Sequence, residues 1–144
     1  MRIRTFRPQD SDAVVALWRD CDLTRSWNDP HRDIARKLAQ QLDGFLVGEW
    51  PDGAVRASAM FGYDGHRGWV NYLAVGPERR RQGCARALME AGEAWLLAQG
   101  CPKLNLQVRR SNLAAVQFYH GLGYAEDEVV SLGKRLIADA PPPG

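Results

Sequence analysis

The sequence predicts one α/β domain built on a mixed sheet, and two patterns carry that expectation. Three apolar, strand-like runs over 45–50, 54–63 and 68–75 are joined by Asp52-Gly53 and Asp64-Gly65. These dipeptides suit tight hairpins, whose central residues must accept positive φ, so the three runs form an antiparallel meander. Further on, the run ending at Val75, an amphipathic stretch over 82–98 and another run over 103–108 read as strand, helix, strand. That order requires a crossover and favours a parallel pair. At 144 residues the chain fits a single unit with a substantial core.

Taken in order, residues 2–6 alternate and stop before Pro8, as a short first strand would. Asp10 or Ser11 is placed to cap a helix over 12–19, where Val14, Val15, Leu17 and Trp18 give an apolar face. Residues 20–30 have no periodicity, and this loop displays Arg25 and Trp27 as candidate substrate-facing side chains. The alternative is an ordinary surface loop holding one tryptophan. Asp29-Pro30 starts a second helix covering 33–42, with Ile34, Leu38 and Leu42 at helical spacing and Gly44 at its end. In the stretch over 82–98, Cys84, Leu88, Ala91 and Trp95 form the stripe facing the sheet, and Gly100 stops the helix. Leu104, Leu106 and Val108 alternate with Asn105 and Gln107 in the strand over 103–108. Ser111 or Asn112 caps a last helix reaching Gly121, and residues 129–132 are expected as one of the closing strands. The domain should occupy 1–137, with the proline-rich residues 138–144 as a frayed tail.

Composition excludes several functions. The chain is 45% hydrophobic and 25% charged, and no apolar run approaches the roughly 20 residues of a membrane span, so no membrane partner is expected. Met1-Arg2-Ile3-Arg4 leads into polar sequence without the apolar stretch of a signal peptide, which makes the cytoplasm the expected location. Cys21, Cys84 and Cys101 form no CxxC pair, so neither a disulfide framework nor a metal site is indicated. A net charge of +2 is too small to point to a nucleic-acid partner.

The local charge says more. Arg79, Arg80 and Arg81 crowd the start of the helix at Gln82, where unsatisfied N–H groups already concentrate positive potential. Gly83 lets backbone approach a ligand and Ala85 keeps the next position small, so the first-turn amides could cradle a phosphate or pyrophosphate. The competing reading is a solvated basic turn. Because the turn follows a strand that feeds a crossover, it lies where open α/β sheets bind ligands.

Three segments then carry a family resemblance. Arg80, Gly83 and Ala85 fit the pattern Arg or Gln, two residues, Gly, one residue, Gly or Ala; Leu73-Ala74-Val75-Gly76-Pro77 precedes it. Asn112 and Phe118-Tyr119-His120-Gly121-Leu122-Gly123-Tyr124 follow at matching spacing. On these segments the chain is identified as a member of the GNAT superfamily of N-acetyltransferases, similar within it to the small bacterial YpeA-type proteins. The resemblance implies a mixed, mostly antiparallel twisted sheet of six to seven strands. Its fourth and fifth strands would splay apart, with about four helices flanking them. It implies acetyl-CoA as donor, with pyrophosphate on the amides of Gln82, Gly83, Cys84 and Ala85, and with Arg80 and Arg81 adding charge. The pantetheine arm would follow the backbone of Leu73 and Val75 and meet Asn112.

In that family a backbone N–H, here assigned to Leu73, stabilises the carbonyl oxygen, and Tyr119 is the general acid for the leaving thiolate. Without the resemblance, Tyr119 reads first as a core aromatic on an amphipathic helix. The partner implied is a primary amine on a small molecule or peptide, and a homodimer is among the expected states. One position departs from related protein N-terminal acetyltransferases, which carry a glutamate base in the fifth strand. Gln107 stands there and cannot accept a proton at neutral pH. Glu49, Asp64, His66 and Tyr72 are the candidates to replace it. Tyr72, beside Leu73, is nearest the expected cleft and is thus a candidate acceptor contact. The alternative function is a module that binds acyl-CoA without turnover.

Overall fold

Alternating apolar residues build the sheet. In the computed structural model, which describes residues 1–139, five strands line up as β1 (Arg2–Thr5), β2 (Phe45–Glu49), β3 (Val55–Tyr63), β4 (Gly68–Val75) and β5 (Leu104–Asn105). Neighbours are antiparallel except β4 and β5, which run parallel. The meander and the crossover are both present. Helices α1 (Ser11–Asp20) and α2 (Pro30–Leu38) cover one face, and α3 (Cys84–Ala98) and α4 (Leu113–Gly121) cover the other.

Strand alternation sorts the core into two layers. Phe45, Val47 and Met60 join Phe6, Val14, Leu17, Trp18 and Ile34 beneath α1 and α2. Leu46, Ala57, Ala59 and Phe61 join Leu88, Met89 and Leu96 beneath α3. The tightest point is Gly92 on α3, where an added Cβ would lie 2.0–2.3 Å from three ring atoms of the fully buried Phe61. Helix and sheet are in contact there because that residue has no side chain.

Helix ends differ from the expectations for specific reasons. Asp29 caps α2, accepting from the N–H groups of His31 at 2.9 Å and Arg32 at 3.3 Å. With Pro30 in its first turn, this helix starts at residue 30 and stops at Leu38, short of the expected 42. Gln41, at φ 55°, turns the chain out of it. Neither Asp10 nor Ser11 caps α1 through its side chain. The Asp10 carboxylate is occupied by both terminal nitrogens of Arg4, at 2.8 and 2.9 Å, and by the Arg7 N–H at 2.8 Å. Arg4 holds this buried acid below its usual value and ties β1 to the start of α1.

The sheet has five strands among the described residues, where six to seven were expected. The fifth pairs over Leu104–Asn105 alone instead of 103–108, because β4 moves away from it and no strand lies on its other side. Residues 129–132 are not a strand; Val130 and Leu132 are 83% and 90% exposed, with no ladder to enter. Side chains link this C-terminal arm to the residues on either side of β5: Lys103 to Asp127 at 2.8 Å and Gln107 to Ser131 at 2.5 Å. The arm is anchored at Asp139, whose buried carboxylate accepts from Arg36 at 2.6 and 3.2 Å and from the Asp29 N–H at 3.0 Å. The second residue of the expected tail is thus anchored, and its positions 140–144 lie outside the described residues.

Helix propensity alone favours Gly92→Ala by about 0.5–1 kcal/mol. The Phe61 contact should reverse that sign, giving a net loss of about 1–3 kcal/mol from overpacking. Urea denaturation should therefore show a lower midpoint for the variant, and a raised midpoint would reject this account of how α3 sits on β3.

Candidate active site

The cleft arises where β4 leaves β5. The two strands pair at Gly68 with Leu104 and Trp69 with Asn105, and no further. Beyond Trp69 and as far as Val75, roughly 20 Å at about 3.3 Å per residue, β4 has no ladder partner on that side.

The direction of the freed backbone follows from parity. The Gly68 N–H reaches Lys103 O on the β5 side at 2.8 Å, whereas the Gly76 N–H reaches Arg56 O on the β3 side at 2.8 Å. Residues an even number apart in a regular strand face the same way. An extra residue must intervene, and the register with β3 shows it: Asn71 pairs with Met60 and Ala74 with Ser58, so Tyr72 and Leu73 together oppose Ala59. Tyr72 has φ 53°, a left-handed backbone that costs a non-glycine residue about 1–2 kcal/mol. Beyond this bulge, alternation back from Gly76 turns the peptide groups of Val75 and Leu73 towards the wedge. Val75 O accepts there from Arg80 Nε at 3.4 Å and from Cys21 Sγ at 3.3 Å.

At the end of β4 the chain makes a 3-10 turn over Pro77–Arg79, then enters α3 through Arg81 at φ 64° and Gly83 at φ 76°. The first bond into the helix is Ala87 N–H to Gly83 O at 3.0 Å. Among the described residues, no protein acceptor meets the N–H groups of Gln82, Gly83, Cys84, Ala85 and Arg86. No acidic residue stands in that turn, and a Cβ at Gly83 would touch nothing within 4 Å. Five successive free amides, open space and positive flanking charge are what an anion needs. The arginines are less concentrated than the sequence suggested. Arg79 turns away and lies 4.9 Å over the Trp50 ring, and Arg80 reaches back to Val75 O, while Arg81 and Arg86 are exposed beside the turn.

Tyr119, on α4, borders the same apolar cluster as Leu73, Val75 and Leu106. Its ring meets Tyr124 and Phe118 edge-on at 5.8 and 5.1 Å. Among the described residues its hydroxyl has no hydrogen-bond partner, and burial pushes its pKa up to about 12. Asn112 caps α4, with Oδ1 accepting from the Ala115 N–H at 3.2 Å, which leaves its Nδ2 to meet a ligand. Gln107 Nε2 donates to Ser131 Oγ.

On the face of α1 and α2, Trp27 is 50% exposed, but Arg25 is not displayed. Its guanidinium donates to the carbonyls of Asp22 and Thr24, both at 2.8 Å, and so closes its own loop. Tyr72 stacks on Trp18 with ring centroids 3.8 Å apart and donates to Asp33 Oδ2 at 2.6 Å. Burial and the Asp33 charge raise its pKa, which makes it a poor base. The other proposed bases are also engaged. Glu49 pairs with Arg2 at 3.0 Å and Arg4 at 3.5 Å. Asp64 accepts the N–H groups of Arg67 and His66, which hold its carboxyl low. Asp64 and His66 sit at the opposite end of β4 from the free amides. Composition and periodicity did not single out Trp18, Ser58 and Asp33 around Tyr72. The one available signal was Ser58, a hydroxyl between Ala57 and Ala59 in an apolar strand.

No cluster of three or more His, Cys, Asp or Glu side chains that could hold a metal occurs among the described residues, and no described helix is long and apolar enough to cross a membrane. Comparison with known proteins adds a family model, that of the acetyltransferase (GNAT) family, which matches residues 12–124. An acetyltransferase of Yersinia enterocolitica, YE1169, is 49% identical over 139 residues, covering 96% of this chain and 98% of its own. One from Sodalis glossinidius, SG1711, is 51% identical over 140 residues with the same coverage of both chains. Among solved structures, Ard1 from Thermoplasma volcanium superposes with a TM-score of 0.77 at 26% identity, over 86% of this chain and 82% of its own. The ribosomal-protein-S18-alanine N-acetyltransferase of Escherichia coli gives 0.72 at 25% identity, over 88% and 78%.

If the amides of residues 82–85 hold a pyrophosphate, two substitutions should separate backbone from side-chain binding. Gly83→Glu places bulk and negative charge at the cradle and should abolish coenzyme A binding. Arg81→Ala should weaken it by about tenfold or less, with the loss shrinking at high salt. Calorimetry showing normal binding by folded Gly83→Glu would remove the turn from the site.

Proposed function

The chain belongs to the GNAT family of acetyltransferases, and from that premise we propose that it transfers an acetyl group from acetyl-CoA to a primary amine by direct attack. The observation that carries the proposal is the run of free N–H groups over Gln82–Arg86 at the mouth of the β4–β5 wedge. Acetyl-CoA, when bound, supplies an acyl group already activated as a thioester. The amides of Gln82, Gly83, Cys84 and Ala85 hold its pyrophosphate, helped by Arg81. The peptide groups of Leu73 and Val75 guide the pantetheine arm, and Asn112 Nδ2 donates to it.

The Leu73 N–H donates to the acetyl oxygen, where negative charge grows as the amine attacks. One such preorganised donor contributes about 3–4 kcal/mol at the transition state. Tyr119 donates its proton towards the departing sulfur. Relative to an unperturbed thiol of about 8.5, a tyrosine raised to about 12 is a weak acid. The same apolar surroundings also disfavour the thiolate, which narrows the gap and lowers the cost of the transfer. The raised value keeps Tyr119 protonated across the whole working range.

The absent carboxylate at Gln107 constrains the acceptor. An amine must arrive neutral or lose its proton to water, since Glu49, Asp64 and Tyr72 are committed elsewhere and His66 is remote. At neutral pH a terminal α-amine, with pKa about 7.7–8.0, is far more often neutral than a lysine at about 10.4. A peptide or protein N-terminus therefore suits this site better, and the E. coli structure is named for such an acceptor, an alanine of a ribosomal protein. The committed bases also favour a second reading, an acyl-CoA-binding module without turnover. A screen of amines with detection of released thiol separates the two.

Two outcomes are expected once an acceptor is found. The rate at subsaturating amine should climb with pH and level off near the pKa of the amine itself; a plateau that stays fixed between amines of different pKa would indicate an enzyme base instead. Tyr119→Phe should retain coenzyme A affinity and lower the single-turnover rate by about 10²- to 10⁴-fold. A rate within about threefold of wild type would assign Tyr119 to packing alone.

A further inference from the structure

The bulge that aims the Leu73 N–H depends on a residue in an unfavourable conformation, and the surroundings of that residue explain why it persists. Tyr72 is held through its ring, its hydroxyl and its carbonyl. Its ring lies on Trp18 at 3.8 Å with 10° between the planes. Its hydroxyl donates to Asp33 on α2 at 2.6 Å. Its carbonyl accepts from Ser58 Oγ at 3.2 Å, and Ser58 Oγ in turn accepts from Trp18 Nε1 at 2.9 Å. Ser58 is fully buried and lies in β3 next to Ala59, the residue that the bulge opposes.

Each contact fixes a different degree of freedom. Trp18 sets the ring plane, Asp33 sets how far the ring reaches, and Ser58 sets the direction of the Tyr72 carbonyl. That carbonyl belongs to the peptide unit whose N–H is Leu73. Because a peptide is planar, fixing the oxygen of Tyr72 fixes the N–H of Leu73 on the opposite side. The Ser58 hydroxyl thus acts as a rotational stop on the amide that faces the wedge.

We propose that Ser58 and Asp33 are positioning residues that hold Tyr72 left-handed and so aim the Leu73 N–H at the acetyl oxygen, an inference that rests on the acetyl transfer proposed above. Neither residue touches the reacting atoms. Asp33 also accepts from Arg36 at 3.2 Å, and Arg36 holds Asp139, so the lock joins the catalytic strand to the helix and arm on the acceptor side.

The test uses an unreactive ketone analogue of acetyl-CoA in which a methylene replaces the thioester sulfur and the carbonyl carbon is isotopically labelled. Infrared spectroscopy reads the hydrogen bond to its oxygen directly, and calorimetry gives its affinity. In wild type the bound carbonyl stretch should fall below its position in water. In Ser58→Ala and in Asp33→Ala at least half of that shift should disappear, with affinity within about threefold of wild type because the pyrophosphate cradle is untouched. Asp33→Asn keeps an oxygen to accept from the Tyr72 hydroxyl and should restore the shift, which a purely structural role for the charge does not predict. If Ser58→Ala fails to fold, the two Asp33 variants decide the matter. An undiminished shift in the alanine variants, or an equal loss in Asp33→Asn and Asp33→Ala, overturns the lock. Absence of analogue binding or of any shift in wild type overturns the underlying acetyl-transfer reading instead.

Discussion

Each residue of a β-strand can offer its N–H and C=O to only one neighbouring strand, and successive residues must alternate. This constraint decides what β4 can do. With a regular strand, Leu73 and Val75 would be spent on the ladder with β3. The additional residue at Tyr72–Leu73 inverts the alternation, so the same backbone faces the gap beside β5. The separation of β4 from β5 after Trp69 leaves that gap open, and the turn of free amides closes its far end. Wedge, guide and cradle are thus one continuous stretch of main chain over residues 72–86. Most of the proposed binding comes from backbone, which constrains the identity of the residues there less than side-chain contacts would.

The side chains around this stretch have different duties. Apolar ones on the α3 side complete the cluster bordering Tyr119, Leu73 and Val75. Polar ones on the α1 side, Ser58 and Asp33, fix geometry without entering the cleft. Arg79 shows the same division: it lies over Trp50 and packs the turn against the sheet while the exposed Arg81 supplies charge. A cluster of like charges in sequence therefore serves two ends, one through its planar stacking surface and one through its field.

Much of this was legible in the sequence where chemistry is local. Hairpin dipeptides, the Asp29-Pro30 helix start and the Asn112 cap each depend on a few adjacent residues. The failures concern partners far along the chain. Asp10 is a good cap by itself, but Arg4 and Arg7 compete for its carboxylate more strongly than the helix does. Arg25 looked available because no sequence pattern marks a guanidinium that will bond two carbonyls of its own loop. Residues 103–108 and 129–132 have strand composition, but a strand exists only where a neighbour supplies a ladder, and β4 withdraws. Ser58 is the exception, a long-range contact with a local sign: a hydroxyl in the middle of an apolar strand signals a buried bond, although not to which partner.

The anchor at Asp139 also bears on the order in which the molecule acquires its final shape. It joins residues separated by 103 positions at Arg36 and by 110 at Asp29, so the loop it closes takes in about three quarters of the chain. Hairpins and helix caps form from neighbours and can settle while the polypeptide is still emerging from the ribosome. The loop over 21–29 and the start of α2 lack this partner until residue 139 has emerged as well. The geometry of that segment is therefore set by a contact of long sequence separation, whose closure costs more chain entropy than a hairpin or a helix cap.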